Sequence, residues 1–495
     1  MRIPILLTAF LLLSTSGLLL SQAHFDFNTT CKQAYQDAIC LKLNNAQRAT
    51  TAEKLRDPNN LVPHFIDNYI DFFTLFLNED PAELKLRAPA KEKRLTLMAT
   101  GPDSSPFTLF TQAIIKLQWA AVDVKFGNRW SSGWAFRDAF KLAKKNQNLF
   151  PSFLPNCMIT GPLQMAASTI PKNYKWLSSM MGIKGTMQQG QQTLNRFLNS
   201  RDPWALLFMN EGIFYQCYTQ FYLLNQPNEA LEFIRTRQLD LVNNHLFTYM
   251  AANLYLNNKQ SGLTEAIVQA RNKSPEYMIT PLWDFELGYA KLYRQAPETS
   301  EYLERFLAHF KGKFYVKEVN LKLAWFYLLQ GNRAAYRKYI EKVKNTGATE
   351  SDADKRALKE AKSGREPNPI LLKARLLNDG GYHQRALALL VGKSNTDFSD
   401  DAERLEFTYR VARIYDDLNR DDDAIKAYQA TIVIGRNRTD YYAARAALQI
   451  AMIYEKRGNC IKATEFYNIC IDMEGHDYED SLEQKSKAGI VRCGG

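Results

Sequence analysis

Apolar positions recur along this chain at intervals of three and four residues, the period of helices that bury one stripe and keep the rest wet. Tyr35, Ile39, Leu43 and Ala46 form such a stripe over residues 31–56. Residues 60–78 carry Phe65, Ile66, Tyr69, Ile70, Phe72, Phe73 and Phe76, which make that helix apolar on more than one side and predict a place between neighbours. The run Gly101-Pro102-Asp103-Ser104-Ser105-Pro106 breaks the pattern. Two alanine-bearing helices follow, over 107–125 and 132–146, with Ala113, Leu117, Ala120 and Ala121 set to face Ala135, Ala139 and Leu142. From 203 to 343 the stripes pair off as degenerate hairpins: 204–224 with 228–236, 246–256 with 263–271, 281–293 with 299–309, and 319–330 with 333–343. The pattern predicts an all-α chain.

The last third repeats itself. Ala374, Leu377, Ala386 and Leu390 recur as Ala412, Tyr415, Ala424 and Tyr428, and again as Ala451, Tyr454, Ala463 and Tyr467. Two antiparallel helices approach closely only where small residues meet, and the large residues then fill the space towards the next pair. This arrangement resembles the tetratricopeptide repeat. The resemblance implies a helical-hairpin solenoid that binds partners, preceded by an irregular N-terminal helical module and closed by a capping helix near 478–491, where Glu479, Asp480, Glu483, Lys485 and Lys487 keep one face polar. The expected organisation is a signal peptide at 1–23, an N-terminal module at 24–200, degenerate repeats at 201–345, a charged connection at 346–369, and the clear repeats with their cap at 370–495. The connection reads either as a mobile arm or as a solvated loop with one helical turn.

Composition adds a compartment and a polarity. Arg2 precedes an almost wholly apolar run from Ile3 to Leu20, and Ser21-Gln22-Ala23 supplies a small-x-small cleavage motif, so the mature chain is expected to be exported after cleavage near Ala23. Residues 24–200 hold 21 Lys plus Arg against 13 Asp plus Glu, whereas 201–495 hold 41 against 39. The basic excess is therefore an N-terminal property, concentrated in an acid-free segment at 139–200. Lys172, Lys175 and Lys184 with Trp176 make that segment a candidate for contact with an anionic membrane surface. Within it, Gly161-Pro162-Leu163, Pro171 to Leu177, Gly182-Ile183-Lys184-Gly185 and Gly190 to Leu194 are similar to a pattern of the tetratricopeptide 39 and fungal inclusion-body-clearance family. That resemblance implies architecture and carries over no catalytic residue.

The seven cysteines match no zinc spacing. Cys493 is open to pairing with Cys460 or Cys470, which would staple the last helix to the last hairpin; buried free thiols are the alternative. His-Glu-x-x-His, Gly-x-Ser-x-Gly and phosphate-loop motifs do not occur. The chain is thus expected to be non-enzymatic, without cofactor or nucleic-acid partner. An unrecognised enzymatic or accessory role for the N-terminal module is the alternative. Tyr409, Arg410, Arg413 and Gln449, on the first helices of the repeats, are the candidate contacts for a protein or peptide partner.

Overall fold

The computed structural model describes residues 22–168 and 185–494. The described residues form helices, with an isolated bridge between His24 and Asn60 as their one β contact. Helices from Leu282 onwards fall into hairpins: Leu282–Arg294 with Thr299–His309, Val316–Leu329 with Arg333–Asn345, Pro369–Asp379 with His383–Leu390, Asp401–Asp417 with Asp421–Gly435, and Tyr442–Lys456 with Cys460–Ile471.

The hairpin turns share one closure. Gly331, Gly381, Asn419 and Gly458 take φ of 76°, 91°, 56° and 73°. The N–H of the next residue then reaches back to the carbonyl of Tyr327, Leu377, Tyr415 and Tyr454 at 2.9, 2.8, 2.9 and 2.9 Å. This left-handed stop satisfies a carbonyl that the helix end would leave orphaned. It also explains why the large motif residue sits at a fixed distance from the turn. Lys259 and Gln295 adopt the same conformation (φ 58° and 65°) with the same return bond, so the degenerate repeats keep the turn without keeping its glycine. Ala374, Ala386, Ala412, Ala424, Ala451 and Ala463 are all fully buried, as the small-residue code requires.

Close approach recurs in the N-terminal half. Pro155–Ser168 crosses Met187–Leu198 where Gly161 meets Gly190 and Leu194; a Cβ on Gly161 would stand 2.9 Å from the Gly190 carbonyl oxygen. Those glycines therefore serve helix packing. The rest of the glycine-punctuated pattern, from 169 to 184, lies outside the described residues, as do Lys172, Lys175, Trp176 and Lys184. One hydrophobic core runs from Phe27 through Leu254, across the expected boundary at residue 200. Tyr35, Tyr69 and Tyr215 all donate to the buried Glu211 carboxylate, at 3.3, 2.7 and 2.8 Å, and tie the first helices to Met209–Tyr218.

The charged connection differs from expectation. Asp352–Ser363 is a helix that buries Asp354, Ala357 and Ala361 against the hairpin before it. Asp354 accepts from the backbone N–H of Tyr315 (2.8 Å) and of Glu318 (3.1 Å) and from the Ser351 hydroxyl (2.6 Å). Its charge pattern masks a narrow buried stripe, which is why composition alone reads as a loop.

Glu479–Arg492 forms the capping helix, pinned by Arg492 to Glu455 at 2.6 and 2.9 Å. All seven cysteines are free thiols, with Cys31, Cys157, Cys217 and Cys470 buried. The array also folds back on itself: the Ser261 hydroxyl donates to the Gly380 carbonyl (2.7 Å), and Lys259 pairs with Asp417.

Candidate functional site

The helix Asp401–Asp417 places Tyr409, Arg410, Arg413, Asp416 and Asp417 on adjoining turns, at spacings that return to one face. Tyr442, Arg445 and Gln449 on the next first helix, and Arg375 and Asp379 on the preceding one, continue that surface. All four candidate contacts thus fall in one neighbourhood, with different roles.

Tyr409 and Arg410 are buried at 1% and 6% exposure. Tyr409 packs against the ring of Tyr442, 4.8 Å between centroids, and Arg410 is held by Glu406 at 2.7 Å. These two shape the wall. Arg413 is half-buried, and among the described residues its side chain makes a long contact of 3.5 Å to the Tyr409 hydroxyl. Gln449 donates to Asp416 at 3.3 Å, and Tyr428 donates to the same oxygen at 2.9 Å. Among the described residues, no carboxylate lies within ion-pair distance of Arg413 or Arg445, and the Arg445 Nε is buried without an acceptor. Sequence reasoning missed Arg445, although it sits four residues before Gln449 on the same helix face.

The surrounding ionisation follows from these guanidiniums. Burial raises the Tyr409 phenol, but Arg413, Arg445 and Arg410 outweigh it and hold the group below its ordinary value. Burial likewise opposes ionisation of Asp379, and Arg375, Arg413, Arg410 and Lys259 overcome it. Asp416, by contrast, is raised by burial despite its hydrogen bond from Tyr428. Asp417 is occupied: it pairs with Lys259 and accepts from the Asn378 amide at 2.6 Å, while His383 faces the Asn378 carbonyl oxygen at 2.7 Å. The patch therefore offers two guanidiniums that no carboxylate among the described residues closes at ion-pair distance, beside an amide and aromatic walls, a surface suited to carbonyl or carboxylate acceptors on another chain.

No family model matches the chain, and no curated protein matches it. Among solved structures, the chain is similar to one in the crystal structure of the APC/C hetero-tetramer Cut9-Hcn1, at 12% identity and a TM-score of 0.28, over 93% of this chain and 89% of that one. The repeat assignment rests on the turns and buried alanines above: by their own hairpin geometry, the described residues from Leu282 onwards form an all-helical solenoid of stacked hairpins.

Proposed function

We infer that the protein is an exported, non-enzymatic scaffold that docks a protein or peptide partner on the shared face of its C-terminal repeats. The observation that carries this reading is the pair of guanidiniums, Arg413 and Arg445, left without carboxylate partners at ion-pair distance beside Gln449. Asp379 and Asp417 act on Arg413 through their charge, but among the described residues no carboxylate closes either guanidinium at ion-pair distance, so their remaining N–H donors are free to take acceptors. An extended segment presenting acceptors would supply them.

Export is supported from the N-terminal side. The His24 N–H donates to the Asn59 carbonyl at 3.0 Å and its own carbonyl accepts from Leu61 at 2.8 Å, so a chain cleaved near Ala23 keeps these two bonds while giving up the packing of Ala23 and the contact of His24 with the Gln22 carbonyl. N-terminal sequencing of the secreted or envelope fraction tests it; a mature chain that starts at Met1 overturns it.

The docking reading is tested by affinity capture with the wild type beside an Arg413→Glu/Arg445→Glu variant of matched thermal stability. A partner held by the wild type and lost from the variant is the expected result. Equal capture by both, or the chain recovered alone under mild conditions, overturns the reading.

A further inference from the structure

The capping helix packs on the last hairpin in a fixed register. The buried Ser486 hydroxyl lies against the Cys470 thiol. Further along the cap, Gly489 lies on the ring of Tyr467, where an added Cβ would stand 2.1 Å from a ring carbon. Positions rise on one helix as they fall on the other, so Glu479–Arg492 runs antiparallel to Cys460–Ile471. Arg492 carries the same line on, to the Tyr467 hydroxyl at 3.5 Å and to Glu455 at the end of the preceding helix. Followed to its end, the register brings Cys493, the C-cap of one helix, to Cys460, the first residue of the other.

The two thiols meet there. The Cys493 thiol stands against the Cys460 thiol, and that contact, ahead of burial, pushes it up to about 11. Both cysteines are half-buried, within reach of a small reagent. The same register excludes Cys470 as the partner of Cys493. Cys470 is buried opposite Ser486, and two turns of helix, about 10 Å, separate Ser486 from Cys493, whereas a disulfide needs its Cα atoms within about 7 Å. Burial pushes the Cys31 and Cys217 thiols up to about 12 and raises Cys157 in the same way. Thiols held like that are inert.

We propose that Cys460 and Cys493 form a disulfide that staples the capping helix to the last hairpin. The oxidant is a small disulfide of the glutathione class. One cysteine thiolate attacks a sulfur of the small disulfide and expels half of it as a thiolate. The other cysteine then attacks the protein sulfur of the mixed disulfide and expels the second half. Two thiol protons and two electrons pass to the reagent, which leaves as two thiols, and one S–S bond joins the helices. The bond closes the chain from 460 to 493 into a loop, which restricts the opened cap. In the cell it rests on the export reading for its oxidising surroundings, whereas purified protein tests the pair by itself.

The purified chain is equilibrated with reduced or oxidised glutathione, its remaining thiols are alkylated in denaturant, and its peptides are mapped by mass. A cross-linked 460–493 peptide is expected in the oxidised sample, with the other five cysteines alkylated. Cys470→Ala is expected to keep the link, and Cys460→Ser or Cys493→Ser to abolish it. Oxidation is expected to slow amide exchange in Glu479–Arg492 about tenfold, with no such change in Cys493→Ser. Seven alkylated cysteines in the oxidised sample overturn the proposal, as does Cys493 linked to Cys470 or to a second copy of the chain. A 460–493 link that leaves exchange of the cap unchanged overturns the staple.

Discussion

Glu211 and Glu286 are both buried carboxylates, and their surroundings separate them. Three tyrosine hydroxyls donate to Glu211, whereas Glu286 has the Asn253 amide alone. Burial pushes the Glu286 carboxyl up to about 8, with the Asn253 bond opposing it only weakly. Tyr218, Tyr222, Tyr249 and Tyr315 are the titratable groups that sense its charge from the neighbouring segments, and Tyr293 does so from its own helix. The folded value lies above the unfolded one, so the folded state binds the proton more tightly. Stability from this group is complete below about pH 4.5 and is lost as pH rises to about 8. Glu286→Gln should remove that slope in urea titrations taken from pH 5 to 9 and exceed the wild type by roughly 3–5 kcal/mol at pH 9. Parallel pH profiles for the two proteins would refute the assignment. Neither carboxylate's role was legible in the sequence. Glu211 meets Tyr35 across 176 residues and Glu286 meets Asn253 across 33, and no local spacing encodes such a meeting.

Helices and hairpins were far more legible, because the close approach of two helices leaves a local signature. Ala412 and Ala424 must be small wherever the backbone goes, and the turn between them must carry a left-handed residue. What hid at this scale was the helix Asp352–Ser363. Its buried Asp354, Ala357 and Ala361 keep helical spacing, but one of the three is an acid and the other positions are mostly charged. Asp354→Ala would leave the N–H groups of Tyr315 and Glu318 without their acceptor. Thermal unfolding should register a loss of about 2–4 kcal/mol, with Asp354→Asn losing less. The capping helix depends on a different contact. Gly489 lies directly on the Tyr467 ring, where an added Cβ would collide with three ring carbons, and the Tyr467 hydroxyl is engaged by Glu455, which also holds Arg492. Gly489→Ala should therefore lift the cap by about 1–3 kcal/mol. Hydrogen exchange would accelerate first in Glu479–Arg492 and Cys460–Ile471 and leave the earlier repeats unchanged.

At the scale of the whole molecule, stacked hairpins contact only their neighbours unless something closes them. Here Lys259, held at φ 58° in a tight turn, reaches Asp417 across 158 residues, and Asn378 donates to the same carboxylate. Ser261 and Gly380 meet alongside, where a Cβ on Gly381 would run into the Lys259 carbonyl. The sequence shows each partner only as an unremarkable loop or helix-end residue, so the closure was invisible there. Breaking one side of a partly buried ion pair costs more than the pair is worth, because the remaining charge stays behind. Lys259→Met leaves Asp417 with Asn378 alone and should cost about 1–3 kcal/mol. Adding Asp417→Leu should recover much of that loss, since an apolar pair fills the same space without a stranded charge. If the bridge closes the array, Lys259→Met will also raise the radius of gyration in small-angle scattering and speed amide exchange at 259–263 and 378–383. The double variant will return both towards the wild type. A single variant as compact and as protected as the wild type would show that stacking alone holds the molecule shut.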